Sequence, residues 1–456
     1  MAKPIILWAA EALLPEGWVK AVRVEVAGGR IVSVSAGAAP EGARVDVLLP
    51  AMVNLHSHAF QRAMAGLTER RGPDPRDSFW TWRRLMYAFL DHLTPEDVEA
   101  IAAFVQMEML EAGYGAVAEF HYLHHQPGGV PYANLAEMSE RIVAAAAETG
   151  IGLTHLPVLY SQGGCDGRAL GPGQARFGNE FDRFARLREA AGRAMVDLPA
   201  DAVLGLAPHS LRAVSRDGLA QAVALAPDAP IHMHLAEQVA EVEELQAAYG
   251  ARPTEWLLAN YAIDARWCLI HATQMLPEET LGLAKSGAVA GLCPITEANL
   301  GDGIFDGMRY LGAGGRFGVG SDSNVRIALA EELRSLEYSQ RLAEKGRAVL
   351  ASPERSTGRV LYEGAVAGGA QAAGRASGAI AVGGWADLMA LDGNHTDLIG
   401  RTGDAVLDAW IFAGDDRMVA EVWSAGRHLV SGGRHVRHDA ITARYRATMA
   451  TLRSRL

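Results

Sequence analysis

The chain has 456 residues, with 42 Lys or Arg, 53 Asp or Glu and a formal net charge of −11. This acidic balance argues against nucleic acid or an anionic membrane as a partner, because proteins that bind such surfaces concentrate basic residues on one face. With 49% hydrophobic and 21% charged residues, the composition is that of a globular protein, long enough for about three domains or for one large α/β barrel with an addition.

Cysteines and apolar runs bear on the cellular compartment. The three cysteines, Cys165, Cys268 and Cys293, are odd in number and widely spaced, which favours a reducing compartment and excludes a cysteine-ligated zinc site. The N-terminal segment lacks the pattern of a signal peptide, and no apolar run is long enough to span a bilayer. We therefore expect a cytoplasmic protein.

Both ends of the chain show the alternation of apolar and polar residues that is typical of antiparallel β structure. Residues 18–35 alternate around Gly28-Gly29, which predicts a β-hairpin. Residues 386–392 and 418–436 show the same alternation. Since chain termini commonly lie close together, we predict one small β-sandwich domain built from both ends.

Between these ends, short apolar runs alternate with segments of helical period, such as residues 95–113 and 134–150. Buried strands that alternate with helices form a parallel sheet, and eight such units predict a closed (β/α)8 barrel of the TIM type, in an α/β protein. The predicted domains are residues 49–370 for the barrel and residues 1–48 with 371–456 for the small domain. The eight apolar runs are residues 47–55, 116–120, 151–160, 202–209, 230–237, 268–272, 288–296 and 316–323.

Nearly every apolar run ends in a side chain that can bind a metal or transfer a proton. In a parallel barrel the C-terminal ends of all strands meet at one face, where active sites lie. The strand ends therefore predict one active site at that face. The residues concerned are His56 and His58; Glu119, His121 and Tyr122; Tyr160; His209; His234 and Glu237; His271; Thr296; and Asp322.

Four of these residues have the pattern of a metal site. His56 and His58 lie two residues apart at a strand end, so both imidazoles point the same way, and His234 and Asp322 end two later strands. Three histidines and one aspartate with an open position describe a catalytic Zn²⁺ or a similar ion. His232 shares a strand face with His234, but His234 lies nearer the strand end and is the predicted ligand.

The order of these residues resembles the amidohydrolase superfamily, in its mononuclear aminohydrolase branch. Two motifs, HSHAFQRAM and TEANLGDGIF, are similar to the formimidoylglutamate deiminases of histidine degradation. The resemblance covers nearly the whole chain, apart from the glycine-rich loop 161–175 and the tail after about residue 436. The segments that carry it are HSHAFQRAMAGLTER (56–70), FWTWR (79–83), AEFHYLHH (118–125), HSLRAV (209–214), HLAEQ (234–238), WCLIHAT (267–273), LCPITEANLGDGIF (292–305) and GVGSDSNV (318–325).

The resemblance implies hydrolysis of N-formimidoyl-L-glutamate to N-formyl-L-glutamate and ammonia, by a metal-bound water that attacks the formimidoyl carbon. In this reading Asp322, as ligand and base, accepts a proton of that water. Glu237 protonates the imine nitrogen and then the leaving amine, and His271 polarises the attacking water. Related two-metal barrels bridge their ions with a carboxylated lysine. This chain has no lysine between His58 and His234, so we expect one ion.

The two carboxylates of that substrate need cationic or hydrogen-bonding partners, of which arginine is the usual one. The motif FWTWR matches at Arg83 and not at the neighbouring Arg84. The resemblance also implies a homodimer. The residues to which it gives substrate-binding roles are Gln61, Arg83, Tyr122, His209 and Arg212.

Other functions stay open on the sequence alone. A purine or pyrimidine deaminase, or the hydrolase that opens an imidazolone ring, would use the same metal site. Those rings are neutral or carry at most one carboxylate, so they do not need two arginines. A barrel that binds without catalysis has no reason to retain a general acid such as Glu237. Nucleic-acid binding has no support, because the chain has no basic run, zinc ribbon or P-loop.

Overall fold

The computed structural model describes residues 4–69 and 79–455 of the chain. Arg70 and the side chains of residues 79–81, which belong to two of the motifs above, lie outside the described part. Within it, a parallel α/β barrel stands beside a curled β-sheet, and the predicted fold class is confirmed. Among the described helices, none is both long and apolar enough to cross a membrane.

The strands divide between the terminal sheet and the barrel. In chain order they are β1 (Ile5–Leu14), β2 (Gly17–Ala27), β3 (Arg30–Ser35), β4 (Ala43–Pro50), β5 (Met52–Ser57), β6 (Tyr114–His121), β7 (Gly152–Leu159), β8 (Val203–Leu204), β9 (Ala207–Pro208), β10 (Ile231–Leu235), β11 (Trp267–His271), β12 (Val289–Leu292), β13 (Arg316–Val319), β14 (Leu388–Leu391), β15 (Val419–Ser424), β16 (Arg427–Ser431) and β17 (Arg434–His435).

Strands from both termini form one eight-stranded sheet, in the order β17-β16-β15-β14-β4-β1-β2-β3. The predicted hairpin joins β2 to β3, where Gly28 and Gly29 adopt the positive φ angles, 57° and 80°, that its tight turn requires. A bridge between Arg30 and Trp385 links β3 to the segment before β14, so the sheet curls over its own aliphatic core. The predicted β-domain from both termini is therefore one continuous sheet.

The barrel wall consists of parallel strands. One part has the order β5-β6-β7-β8, with β9 also paired to β7, and the other has the order β10-β11-β12-β13. Bridges between Leu206 and Ile231 and between Ser57 and Asp322 join the two parts. β8 and β9 both pair with β7 and together act as one interrupted strand. The wall therefore has the eight strands of a closed (β/α)8 barrel.

The apolar run 47–55 is two strands rather than one. β4 ends at Pro50 in the terminal sheet, and β5 begins at Met52 in the barrel. The predicted domain boundary after residue 48 thus falls inside β4. At the other boundary, the helix α12 (Thr357–Ala372) continues two residues beyond residue 370.

The C-terminal end of α12 fills the N-terminal opening of the barrel. A Cβ added at Gly368 would lie 1.8 Å from the backbone oxygen of Phe317 in β13, so this close approach requires glycine. Thr154 of β7 donates a hydrogen bond to the carbonyl of Ala373 at 2.8 Å. His232 of β10 donates to the carbonyl of Ala372 at 2.7 Å. This packing closes the end of the barrel opposite the strand C-termini.

Helices surround the barrel, and the tail of the chain adds a last one, α14 (His438–Arg455), which lies on α2 (Pro95–Glu111). The tail after residue 436 forms α14, which packs on α2 through a stacked pair, Phe104 and Tyr445, with ring centres 3.9 Å apart. The described helices are α1 (Phe79–Leu90), α2 (Pro95–Glu111), α3 (Glu137–Thr149), α4 (Phe181–Ala194), α5 (Arg216–Leu225), α6 (Val239–Tyr249), α7 (Pro253–Asn260), α8 (Pro277–Ser286), α9 (Pro294–Leu300), α10 (Gly307–Gly312), α11 (Leu329–Glu344), α12 (Thr357–Ala372), α13 (Asp404–Phe412) and α14 (His438–Arg455).

Candidate metal centre and active site

Four buried side chains meet at the C-terminal end of the barrel in the geometry of a metal site. His56, His58, His234 and Asp322 each offer one ligand atom, and these atoms all lie within 4.8 Å of one another. His56 lies in β5 and His58 directly follows it, whereas His234 lies in β10 and Asp322 follows β13. The structure thus brings together the four residues that the sequence predicts as ligands, and leaves His232 out of the group.

Hydrogen bonds orient two of these imidazoles. His58 Nδ1 lies 3.0 Å from the carbonyl oxygen of Phe120, and His234 Nδ1 lies 3.1 Å from that of His209. A carbonyl oxygen only accepts, so both Nδ1 atoms carry the proton and both Nε2 atoms present a lone pair. Burial lowers the pKa of His56 to about 3 and the pKa of His234 well below its ordinary value. The rings of His56 and His234 are therefore neutral, and a neutral imidazole is the form that binds a metal.

The arrangement of ligand atoms fits a single divalent ion. The Nε2 atoms of His56 and His234 are 3.2 Å apart, and Asp322 Oδ1 lies 3.4 Å from His56 Nε2 and 3.2 Å from His58 Nε2. Burial opposes the ionisation of Asp322, yet the adjacent imidazoles of His56 and His58 and the positive charge of His271 hold its pKa well below its usual range. One carboxylate and three imidazole nitrogens around a common point form the donor set of a catalytic zinc-type site.

Glu237 and His271 flank this group. Glu237 follows β10, His271 ends β11, and Glu237 Oε1 lies 3.7 Å from His271 Nε2. Burial raises the pKa of Glu237 to about 7. Although burial opposes a charge on His271, the carboxylates of Glu237, Glu297 and Asp322 raise its pKa well above the ordinary value. At neutral pH Glu237 can therefore both take up and release a proton, next to a cationic His271.

The backbone is strained at two of these residues. His271 and Asp322 have φ angles of 70° and 47°, in the left-handed region that residues with a Cβ rarely adopt. Each such conformation costs on the order of 1–3 kcal/mol and persists where the surrounding structure fixes it, often at functional sites. Here both strained residues end strands at the metal group.

Glu297 is a site residue that the sequence analysis did not single out. It accepts hydrogen bonds from His271 Nδ1 at 3.2 Å and from the backbone N–H of Cys293 at 2.8 Å, so the other ring nitrogen of His271 faces the metal group. These three residues lie close enough together to hold an ion. Burial, however, raises the pKa of the Cys293 thiol well above its ordinary value, and a protonated thiol is a poor ligand. The sequence feature that could have indicated Glu297 is its position in the family-specific motif TEANLGDGIF.

A pocket of about 520 Å³ opens at the metal group. Arg83, the arginine at which the FWTWR motif matches, is buried in its wall, whereas the neighbouring Arg84 is exposed. Further lining residues that the sequence did not assign to the substrate are Met86, Tyr87, Tyr160, Phe177 and Leu300. The predicted substrate and proton-transfer residues that line the pocket are Gln61, Arg83, Tyr122, His209, Arg212, Glu237, His271 and Asp322.

The polar groups of the pocket are held by hydrogen bonds and by neighbouring charges. Gln61 Nε2 donates to the Tyr122 hydroxyl at 2.7 Å, and the Gln61 Oε1 atom is buried with no hydrogen-bond partner in the described part of the chain. Burial and the charges of Arg212 and Arg83 lower the pKa of His209 well below its ordinary value, so this ring is neutral.

Comparison with protein families places this architecture. Residues 47–429 match the model of the amidohydrolase family, and residues 5–44 match that of the N-terminal domain of formimidoylglutamate deiminase HutF. The chain therefore belongs to the amidohydrolase family. The resemblance inferred from the sequence motifs is confirmed.

Individual relatives are more specific. The formimidoylglutamate deiminase of Pseudomonas aeruginosa is 51% identical over 441 residues, which cover 94% of this chain and 95% of that protein. The crystal structure of an amidohydrolase from Brucella melitensis is 51% identical, with a TM-score of 0.95 over 98% of this chain and 99% of the other. An adenosine deaminase from Xanthomonas campestris with bound zinc has a TM-score of 0.82 at 21% identity, over 99% and 98% of the two chains. This last likeness shows a shared fold.

Proposed function

We propose that the protein hydrolyses N-formimidoyl-L-glutamate to N-formyl-L-glutamate and ammonia, with one bound Zn²⁺. The observation that carries this proposal is a pair of buried arginines, Arg83 and Arg212, in the same pocket as the His-His-His-Asp group. A dicarboxylate is the natural partner of two guanidinium groups. The 51% identity to the formimidoylglutamate deiminase of Pseudomonas aeruginosa supports the same substrate.

The reaction follows from the chemistry of the surrounding side chains. A divalent ion held by His56, His58, His234 and Asp322 would lower the pKa of water and so supply a nucleophile at neutral pH. Asp322 accepts a proton from the attacking water. Glu237, whose pKa of about 7 suits both directions of transfer, donates its proton to the imine nitrogen. It then takes over the proton that Asp322 received from water and passes it to the nitrogen that leaves as ammonia. The remaining hydroxyl proton of the intermediate returns to Glu237, which restores both carboxyl groups. The cationic His271 beside both carboxylates stabilises the negative charge that develops.

Substrate binding uses the remaining polar groups of the pocket. Arg83 and Arg212 pair with the two carboxylates of the substrate. Gln61 Oε1, a buried acceptor with no partner among the described residues, suits an N–H of the formimidoyl group. Tyr122 fixes that amide by accepting a hydrogen bond from its nitrogen. His209 contributes a neutral ring between the metal group and the arginines.

A substrate panel tests this proposal. Purified zinc-loaded protein is assayed for ammonia release from N-formimidoyl-L-glutamate, guanine and cytosine, and for ring opening of imidazolonepropionate. We expect turnover of N-formimidoyl-L-glutamate alone. Turnover of a nucleobase or of the imidazolone with no reaction of N-formimidoyl-L-glutamate would overturn the proposed substrate.

We also propose a cytoplasmic homodimer. Cys165, Cys268 and Cys293 are buried free thiols, which suits a reducing compartment. The dimer is the assembly that the resemblance to the formimidoylglutamate deiminases implies. Light scattering on the purified protein measures its molar mass, and the mass of a single chain would contradict the dimer.

A further inference from the structure

Tyr160 is a buried phenol in the wall of the pocket with no role in the reaction as described so far. It directly follows β7 and is 1% exposed, and its side chain lines the same pocket as the two arginines. Its ring packs edge to face on His209, with ring centres 4.6 Å apart. A hydroxyl in such a position must satisfy its hydrogen bonds inside the protein or with a ligand.

The acceptor capacity of the Tyr160 hydroxyl is filled. Arg83 Nη2 and Gln174 Nε2 each donate to its oxygen at 2.8 Å. The direction of the bond from Arg83 is settled, because a guanidinium only donates. The direction of the bond from Gln174 follows from the other contact of its amide group. The Oε1 atom of Gln174 is itself occupied by the backbone N–H of Gly171 at 2.8 Å, which leaves the Nε2 atom to face Tyr160.

Among the described residues, the proton of the Tyr160 hydroxyl has no acceptor. A phenol that accepts two hydrogen bonds has only its O–H left to offer. Within residues 4–69 and 79–455, Tyr160 makes no further hydrogen bond beyond the two that it accepts. The pocket therefore presents an O–H donor next to the guanidinium of Arg83, and this pair is complementary to a group that only accepts, such as a carboxylate.

The position of Tyr160 indicates which carboxylate it meets. Ring centres of His234 and His209 are 4.8 Å apart, and those of His209 and Tyr160 are 4.6 Å apart. Tyr160 thus lies beyond His209 in a row of rings that starts at a residue of the metal group. With the formimidoyl carbon at the metal group, the end of the substrate that reaches Tyr160 is the one farther from that carbon.

We propose that Tyr160 donates a hydrogen bond to the side-chain carboxylate of the substrate, the one remote from the formimidoyl group, together with Arg83. This inference rests on the proposed function and adds a specificity residue to it. Gln174 supports this arrangement, because the hydrogen bond that it donates fills an acceptor position of the Tyr160 oxygen.

Tyr160→Phe removes the donor and retains the ring. A hydrogen bond to a charged group is strong enough that we expect kcat/KM for N-formimidoyl-L-glutamate to fall about 10- to 100-fold, chiefly through KM. For N-formimidoyl-2-aminobutyrate, which lacks the side-chain carboxylate, kcat/KM should stay within about twofold. The ratio of the two kcat/KM values, which measures the preference for the remote carboxylate, should therefore shrink by the same factor.

Two further variants distinguish a Tyr160 that binds the substrate from a Tyr160 that only holds Arg83 in place. Tyr362 also has a buried hydroxyl, which donates to the carbonyl of Pro50 at 2.7 Å and does not line the pocket, so Tyr362→Phe should leave KM unchanged. Replacing Tyr160 with 3-fluorotyrosine makes its hydroxyl a better donor and a poorer acceptor. A donor to substrate then gives a KM equal to or below that of the wild type, whereas a group that only holds Arg83 and Gln174 gives a higher KM.

The outcomes are distinguishable. An unchanged preference in Tyr160→Phe, or a raised KM in the 3-fluorotyrosine protein, would show that Tyr160 does not bind the carboxylate, while the proposed function stands. A wild-type protein that binds zinc but releases no ammonia from N-formimidoyl-L-glutamate would overturn the proposed function, and this inference with it.

Discussion

Single residues at this site owe their chemistry to their surroundings. Glu237 and Asp322 are both buried carboxyls beside His271. Burial raises the pKa of Glu237 to about 7, whereas the imidazoles of His56 and His58 and the charge of His271 hold the pKa of Asp322 well below its usual range. Two carboxyls whose environments separate their pKa values take different roles. Asp322 is therefore charged at the start of the reaction, as a metal ligand and base must be, whereas Glu237 starts with a proton that it can donate and take back.

The proposed role of Glu237 predicts a loss of turnover without a loss of metal. Glu237→Gln keeps the size of the side chain but cannot transfer protons, so we expect kcat to fall by at least about 100-fold. Zinc per chain, measured by atomic absorption, should equal that of the wild type, because Glu237 lies outside the group of four ligand atoms. A protein that loses its zinc instead would show that Glu237 is a ligand.

Arg212 allows a second test at the same scale. Arg212→Met keeps an unbranched side chain in this buried position but removes the charge that binds a carboxylate, so we expect kcat/KM to fall by about 100-fold or more. Circular dichroism and the unfolding midpoint check that the fold is retained. Kinetics equal to those of the wild type in a folded variant would remove Arg212 from the substrate site.

The sequence predicts the positions of the metal ligands, because they depend only on strand periodicity and on the meeting of strand ends at one face. His56 and His58 needed nothing more than a two-residue spacing. The same periodicity places Tyr160 at that face but assigns it no role, and it does not indicate Glu297. The role of each of these residues depends on contacts between distant parts of the chain. Glu297 and His271, for example, are 26 residues apart in sequence, and no local pattern indicates that they meet.

At the scale of secondary-structure elements, close packing of α12 against the barrel explains its run of small residues. The end of this helix lies against β5, β10 and β13, and glycine at position 368 lets its backbone touch that of Phe317. The apolar run 47–55 shows the opposite situation. Its hydrophobicity is continuous, so the change from terminal sheet to barrel between Pro50 and Met52 leaves no trace in the periodicity.

Packing of α12 predicts an asymmetric response to glycine substitution. Gly368→Ala places a Cβ 1.8 Å from a backbone oxygen, and relief of such overpacking costs about 1–3 kcal/mol or more. Gly312→Ala is the matched control, since a Cβ there meets nothing within 4 Å. We expect urea unfolding to show a lower midpoint for Gly368→Ala and a midpoint near that of the wild type for Gly312→Ala. Equal midpoints would contradict the close approach.

At the scale of the whole molecule, buried charges join the terminal sheet to the barrel. Arg375, after α12, binds Asp387 of the terminal sheet at 2.6 Å and Asp201 of the barrel at 2.7 Å. All three are buried, and removing one partner of such a set leaves uncompensated charge, which is strongly destabilising. The net charge of −11 likewise says little about the pocket, because Arg83 and Arg212 provide local positive charge.

Buried neutral histidines predict that the protein loses stability in mild acid. Burial lowers the pKa of His155 to about 3, from an ordinary value of 6.5. Below pH 6.5 the unfolded chain therefore binds a proton that the folded protein does not, so the free energy of unfolding decreases as the pH falls from 6.5 toward 3. Urea titrations at several pH values between 7 and 5 should show this decrease.

His155→Leu isolates one contribution to the acid effect. Both ring nitrogens of His155 are buried without hydrogen-bond partners in the described part of the chain, so leucine removes no bond there. We expect the free energy of unfolding of this variant to depend less steeply on pH than that of the wild type. The same slope in both proteins would show that His155 is not neutral and buried as the structure places it.

Titrating metal into metal-free protein while measuring ammonia release tests whether the protein hydrolyses N-formimidoyl-L-glutamate with one metal ion per chain. The group of three histidines and Asp322 has room for one ion, so we expect activity to rise in proportion to bound zinc and to saturate at one ion per chain. Three results would contradict this mechanism: activity in the metal-free protein, a requirement for two ions per chain, or no turnover of N-formimidoyl-L-glutamate at full zinc occupancy.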